Sequence, residues 1–294
     1  MKKLLSFIFL LLTSIILISC KNNVNANIVT TLYPQYDIAR EIVGDKLSVS
    51  LLTPVGSEVH GYTPTAKDIV GIKNANLFLY TSNNMERWVS DLIKTNDINY
   101  VDLSEKLTNI DSNDDFIHYW TDPLAFLELI IIIRDEIIEI DSENKDLYTK
   151  NALDYYNRIN EIHIEFSNYL INENISDIFF FGHNAMEPFS TRYNLNIVSL
   201  SENYQPDAQL TPKQILNLKN NIKEANAKYL FVEELISLSN VNVLKDELAS
   251  EGYLIEILEL HGYHNVSQNQ FNEGVTYADL FENNTKNLKK AFTN

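Results

Sequence analysis

A chain of 294 residues with 40 acidic against 23 basic side chains, formal charge −17 at pH 7, lacks the cationic surface that a polyphosphate partner needs. Nucleic acid is thereby excluded as a ligand. At 45% hydrophobic residues the chain can bury a sizeable core, and its length suits two domains of common size. A single cysteine, Cys20, rules out both an internal disulfide and a thiolate metal cluster.

Residues 1–19 read as a secretory signal. Lys2 and Lys3 form a basic start, and Leu4 to Ile18 is apolar apart from Ser6, Thr13 and Ser14. A hydrophilic stretch follows at once, so the run is not a membrane span. It closes on Leu17-Ile18-Ser19-Cys20, which resembles the lipobox of bacterial lipoproteins, with Cys20 as the lipid anchor and residues 20–27 as the tether.

From residue 28 onward short apolar runs alternate with helical patterns. Strands are expected at Ile28–Leu32, Leu47–Thr53, Asn76–Tyr80 and Asn99–Leu103, with helices over Gln35–Val43, Thr65–Asn74 and Glu86–Lys94 between them. A further helix begins near Pro123. A second set follows, with strands at Ile178–Phe181, Leu195–Leu200, Tyr229–Val232 and Leu254–Leu258, and helices over Asn184–Tyr193, Pro212–Ala225 and Val241–Glu251. Such alternation predicts an α/β fold: two doubly wound parallel-sheet lobes, residues 28–141 and 172–294. Between them, residues 142–171 contain neither glycine nor proline. Ala152, Tyr156, Ile159, Ile162, Phe166 and Leu170 recur at helical steps, which predicts one long rigid helix joining the lobes. Phe271–Phe292 reads as a single closing helix.

Five of the six histidines fall in loops after predicted strands: His60, His118, His183, His261 and His264. The carboxyl ends of parallel strands share one rim, where α/β sheets bind their ligands. Two such rims facing one another bring imidazoles from both lobes into one cleft. Neutral imidazole is a preferred zinc ligand, and zinc takes four ligands in a tetrahedron. Separations of 58, 65 and 81 residues along His60, His118, His183 and His264 exclude a local finger, so tertiary structure must assemble the site. Taken singly, each is also the kind of histidine found on any surface loop. His163 lies mid-helix and is assigned to packing or solvent. Glu58, Glu233, Glu234 and Glu259 are candidate ligands, orienting partners, or solvated acids.

Several blocks resemble the zinc- and manganese-binding lipoproteins that serve bacterial ABC importers. Pro54 to Ile69, within "TLYPQYDIAREIVGDKLSVSLLTPVGSEVHGYTPTAKDIVGIKNANLFLY", is similar to that family's opening signature. "HYWTDP", "GHNAMEPFSTRYNL", "LFVEE" and "ELHGYHNVSQNQFNEGVTYADLFENNTKNLKKAF" match later blocks, so the likeness covers nearly all of residues 28–292. The resemblance implies a metal between two lobes, with His60, His118 and His183 as ligands. A histidine at the third position points to zinc, with manganese or iron as alternatives. The fourth ligand is expected from residues 259–264, with His264 first, His261 next and Glu259 third. Two departures stand out. Residues 104–117 hold no histidine, where many zinc members carry a histidine-rich loop, and Asn194 replaces a usual glycine.

The function implied is a non-catalytic receptor, monomeric and lipid-anchored to the outer face of the cytoplasmic membrane. It would capture Zn(II) and deliver it to an ABC permease and its ATPase. A zinc hydrolase with three histidines, a water and Glu58 or Glu259 as base is the rival of another class, but no H-E-x-x-H helix is present. A surface adhesin using metal structurally is the third reading.

Overall fold

The computed structural model describes residues 26–108, 117–171, 173, 175, 177–200 and 211–293. The expected signal segment, Cys20 and most of the tether lie outside the described residues. Asn27, read as the end of the tether, is already docked on the first lobe, its side chain bonded to Ser48 and Asn76.

The first lobe runs β1 (Ile28–Thr30), α1 (Tyr33–Val43), β2 (Val49–Leu51), α2 (Ala66–Asn74), β3 (Leu77–Tyr80), α3 (Val89–Thr95), β4 (Tyr100–Asp102), α4 (Leu103–Lys106) and α5 (Pro123–Ile140). The long connection is α6 (Lys145–Leu170). The second lobe follows as β5 (Ile178–Phe181), α7 (Glu187–Tyr193), β6 (Ile197–Ser199), α8 (Pro212–Glu224), β7 (Tyr229–Val232), α9 (Leu238–Ser250), β8 (Glu256–Glu259), α10 (Gln268–Glu273) and α11 (Tyr277–Phe292). Each sheet is parallel, ordered β2-β1-β3-β4 and β6-β5-β7-β8. The order reverses direction after the first strand of each lobe, which makes both sheets doubly wound.

The strands are continuous apolar runs because both sheet faces are covered. In β3, Leu77 and Leu79 point into one cluster while Phe78 and Tyr80 point into another. In β5, Ile178 and Phe180 face that same first cluster, and Phe179 and Phe181 face a third. The cluster shared by both sheets also takes in Phe126 of α5, Phe166 of α6 and Phe281 of α11. One apolar core therefore runs from lobe to lobe, a stiffer junction than a polar domain contact.

Polar ties reinforce it. Asp37 on α1 is fully buried and receives Tyr155 Oη from α6, the Tyr277 backbone N–H from α11 and the Arg40 guanidinium. Trp120 Nε1 donates to Gly262 O at 3.0 Å, and Arg192 on α7 forks onto Asp122 at 2.9 and 2.7 Å. Asn265 Nδ2 donates to Pro54 O and Ser57 O, pinning the loop before His60.

Some boundaries differ from the sequence reading. Ser142–Asn144 form a 3-10 turn and α6 proper spans 26 residues, about 39 Å at 1.5 Å per residue. Tyr148 and Tyr155, rather than Tyr156, are its buried tyrosines, the second drawn inward by Asp37. The closing helix is two helices. Gly274 ends α10 at φ 70°, and Thr276 then caps α11 by accepting the Asp279 N–H. Expected helix Glu86–Lys94 starts only at Val89, because Glu86 is engaged elsewhere. Asn194 fills the glycine-like position at φ 51° and closes α7, a conformation asparagine tolerates.

Candidate metal centre

Each of the four selected histidines leaves a different loop. His60 follows β2, His118 opens the turn that leads into α5, His183 follows β5 directly and His264 follows β8. One ring nitrogen from each lies within 4.8 Å of the other three. His118 Nε2 stands 3.0 Å from His60 Nε2 and 3.4 Å from His183 Nε2.

The ring centroids make the geometry explicit. Their six separations are 5.3, 5.1, 5.7, 5.0, 5.1 and 5.0 Å. Four imidazoles on a tetrahedral ion at 2.0–2.1 Å would place nitrogens about 3.3 Å apart and ring centres about 5.2 Å apart. Four points with nearly equal mutual distances are a tetrahedron, of the size zinc requires. Three of the rings are buried, and only the His60 side chain, 28% exposed, faces solvent. His264 Nε2 is buried without a hydrogen-bond partner, as a nitrogen reserved for a ligand would be.

Carboxylates hold three of the rings from behind. Glu58 Oε1 lies 2.5 Å from His60 Nδ1 and Glu234 Oε1 lies 2.9 Å from His264 Nδ1. Glu233 Oε1 is 2.6 Å from His183 Nδ1, close enough for an ion pair though off the line of a hydrogen bond. At His60 and His264, where the carboxylate oxygen accepts from Nδ1–H, the acceptor fixes the tautomer that leaves the Nε2 lone pair for a metal.

The electrostatics favour neutral rings. Burial, then the neighbouring imidazoles, pushes His118 well below its ordinary value. Burial and His60 bring His183 down to about 4. Burial, followed by the charge of Glu234, raises Glu233 to about 8. Glu234 is held below the carboxylate range against its own burial, by His261 and by bonds from His264 and the Gly262 N–H. Hydrogen bonds from His60 overcome burial and keep Glu58 at about 2.

Two glycines make this possible by close approach. A Cβ on Gly182 would sit 2.5 Å from the Phe180 ring and 2.8 Å from Glu233 Oε2. One on Gly262 would sit 2.6 Å from His264 Cε1.

Of the other expected candidates, His261 is buried beside the cluster but outside it, its Nδ1 accepting the Tyr263 N–H at 2.9 Å. Glu259 closes β8 and is likewise outside. His163 is half-buried on α6, its Nδ1 paired with Tyr193 Oη at 2.8 Å, in keeping with a packing role. Sequence reasoning passed over three interlobe ties beside His118: Trp120, Asp122, and Thr121, whose Oγ1 donates to Ala185 O at 3.2 Å. Their signal was adjacency to a candidate ligand.

A parallel two-sheet α/β molecule with four imidazoles converging between its lobes has, ready made, a set of ligand atoms that could hold a metal ion. Residues 28–291 match the family model described as zinc-uptake complex component A, periplasmic, and the chain belongs to that family. It is 27% identical to the zinc-binding lipoprotein AdcA of Streptococcus pneumoniae R6 over 319 residues, 99% of this chain and 61% of that protein. It is 26% identical to the high-affinity zinc uptake system protein ZnuA of Bacillus subtilis 168, over 90% of this chain and 86% of that protein. The crystal structure of the Zn(II)-bound ZnuA-like domain of S. pneumoniae AdcA superposes with a TM-score of 0.79 at 26% identity, covering 92% of this chain and all of that one. The chain thus spans about three fifths of the AdcA length. Among the described residues no helix is long and apolar enough to cross a membrane.

Proposed function

We propose that this chain is an extracytoplasmic receptor that captures Zn(II) and delivers it to an ABC permease with its ATPase. His60, His118, His183 and His264 are the ligands, held between lobe 28–141 and lobe 172–294. The observation that carries this reading is the near-regular tetrahedron of four imidazoles. Four protein nitrogens complete zinc's coordination and leave no position for a reactive water. That supports storage and transfer over hydrolysis. An all-nitrogen set also favours zinc over manganese, which prefers oxygen ligands. The AdcA and ZnuA relatives, named for zinc binding and zinc uptake, support the same ion.

Exchange with solvent occurs at His60, the one exposed ring, on the glycine-flanked loop 56–61. Withdrawing it opens the site while three buried rings keep their places. Anchoring through Cys20 sets the receptor beside its permease, and the interlobe core makes loop movement a smaller step than lobe swinging.

The test is metal content by mass spectrometry and thermal melting of the purified chain. At a thousandfold excess over Kd, zinc adds about 4 kcal/mol, or about 10 °C in Tm. A protein that carries no zinc and melts identically with and without it contradicts the proposal. A larger shift with Mn(II) than with Zn(II) would reassign the ion.

A further inference from the structure

The two buried glutamates just past β7 are consecutive in sequence, yet they serve histidines from opposite neighbours. In the sheet β7 lies between β5 and β8. Glu233 turns toward the β5 side, where Oε2 accepts the His183 backbone N–H at 3.0 Å and Oε1 approaches its ring. Glu234 turns toward the β8 side and gathers three bonds from one turn. Oε2 accepts the Gly262 N–H at 2.7 Å, and Oε1 accepts both the His264 N–H at 3.2 Å and its Nδ1–H at 2.9 Å.

That turn offers two histidines. His261 is wholly buried, its Nδ1 is 3.7 Å from the same Glu234 Oε1, and its Nε2 has no partner among the described residues. Chemically it is as good a ligand as His264. What separates them is the path of the backbone. Tyr263 adopts φ 63° and Leu235, next to Glu234, adopts φ 60°, both in the left-handed region that side chains disfavour. His264 meanwhile folds its ring over Gly262, where no Cβ would fit. Strained backbone persists only where surrounding bonds over-determine it, and the Glu234 carboxylate supplies three such bonds.

We infer that Glu234 is a positioning residue: by clamping residues 262–264 it selects His264, and not His261, as the fourth ligand. This rests on reading the four histidines as zinc ligands, and it adds the device that decides between two adjacent candidates.

The test is a double-mutant cycle on the full chain, with zinc affinity measured by competition against a chromophoric chelator. Apo-protein melting is followed alongside. Glu234→Ala is expected to weaken zinc binding about 10–100-fold, the usual cost of losing an outer partner. Glu234→Gln, which retains an oxygen for the His264 ring and the same volume, is expected to recover part of that loss. In a His264→Ala background Glu234→Ala is expected to cost nothing further, because residues acting through one another are not additive. His261→Ala is expected to leave the parent affinity unchanged. With Co(II) in place of zinc, the tetrahedral d–d bands persist in His261→Ala and collapse in Glu234→Ala.

Additive losses in the cycle, or His261→Ala costing as much as His264→Ala, overturn the inference alone. A loss in Glu234→Ala that only tracks a collapsed apo melting transition, with no deficit in Glu234→Gln, also overturns it. A parent chain without zinc affinity overturns the four-histidine reading and the inference with it.

Discussion

The two sheets share one strand order, and in each a buried glutamate lies past the carboxyl end of the second central strand, Glu86 after β3 and Glu233 after β7. In the first lobe Glu86 accepts Thr31 Oγ1 at 2.5 Å, the Thr81 N–H at 3.2 Å and the Ser82 N–H at 3.0 Å. Every one of these donors belongs to the same lobe, two backbone N–H groups and one hydroxyl, so the crevice is closed from within. In the second lobe Glu233 is spent on His183, whose other nitrogen faces three more imidazoles. The same topological position is a plug in one lobe and a lever in the other. What distinguishes them is whether the polar groups satisfy one another or leave a buried nitrogen, such as His264 Nε2, without a partner.

Substitutions on the two sides of this comparison should separate cleanly. The largest effect belongs to His118→Ala, which removes a buried ring at the centre of the cluster. Zinc affinity is expected to fall by more than the 100-fold upper range for an outer partner, measured by chelator competition. Glu233→Ala is expected to cost about 10–100-fold in the same assay, because His183 loses the carboxyl group that holds its backbone N–H and packs behind its ring. Glu86→Ala inverts the pattern. It should cost about 2 kcal/mol in urea unfolding, from donors left unsatisfied, while zinc affinity stays within about twofold.

The pH dependence of the metal-free protein has two opposed parts. Glu233 holds its proton up to about 8 when folded against an ordinary 4.5, so its contribution to stability is present below 4.5 and lost as pH rises through 8. His183 and His118 are depressed when folded, so theirs is present above 6.5 and lost as pH falls toward 4. Between pH 6.5 and 8 only Glu233 acts among these three. Acidification there should stabilise the parent relative to Glu233→Gln, by at most about 1.4 kcal/mol per pH unit. Equal slopes for the two proteins would remove Glu233 from the account. The smallest effect is expected for Glu58→Gln, whose carboxylate is 27% exposed, with less than about a tenfold loss in zinc affinity.

Much of this was legible in the sequence. The strands announced themselves as short apolar runs such as Leu77–Tyr80 and Ile178–Phe181, because a sheet covered on both faces has no polar alternation to obscure it. The positions of His60, His118 and His183 after strands placed them on the rims, and the structure brings those three together with His264. Spacing could not choose between His261 and His264. That choice depends on a turn whose shape is set by Glu234, 30 residues earlier in the chain. Tyr155 was missed for a related reason, since its inward turn answers to Asp37, 118 residues away. The break between α10 and α11 was readable after all, from Gly274 followed by Thr276 and Asp279, but the apolar periodicity masked it.

Zinc K-edge absorption fine structure of the loaded protein addresses the coordination directly. Four nitrogen scatterers at about 2.0–2.1 Å, with the outer-shell pattern of imidazole rings and no oxygen in the first shell, is the expected result. A first shell of three nitrogens and a water, or one dominated by carboxylate oxygen, would contradict it.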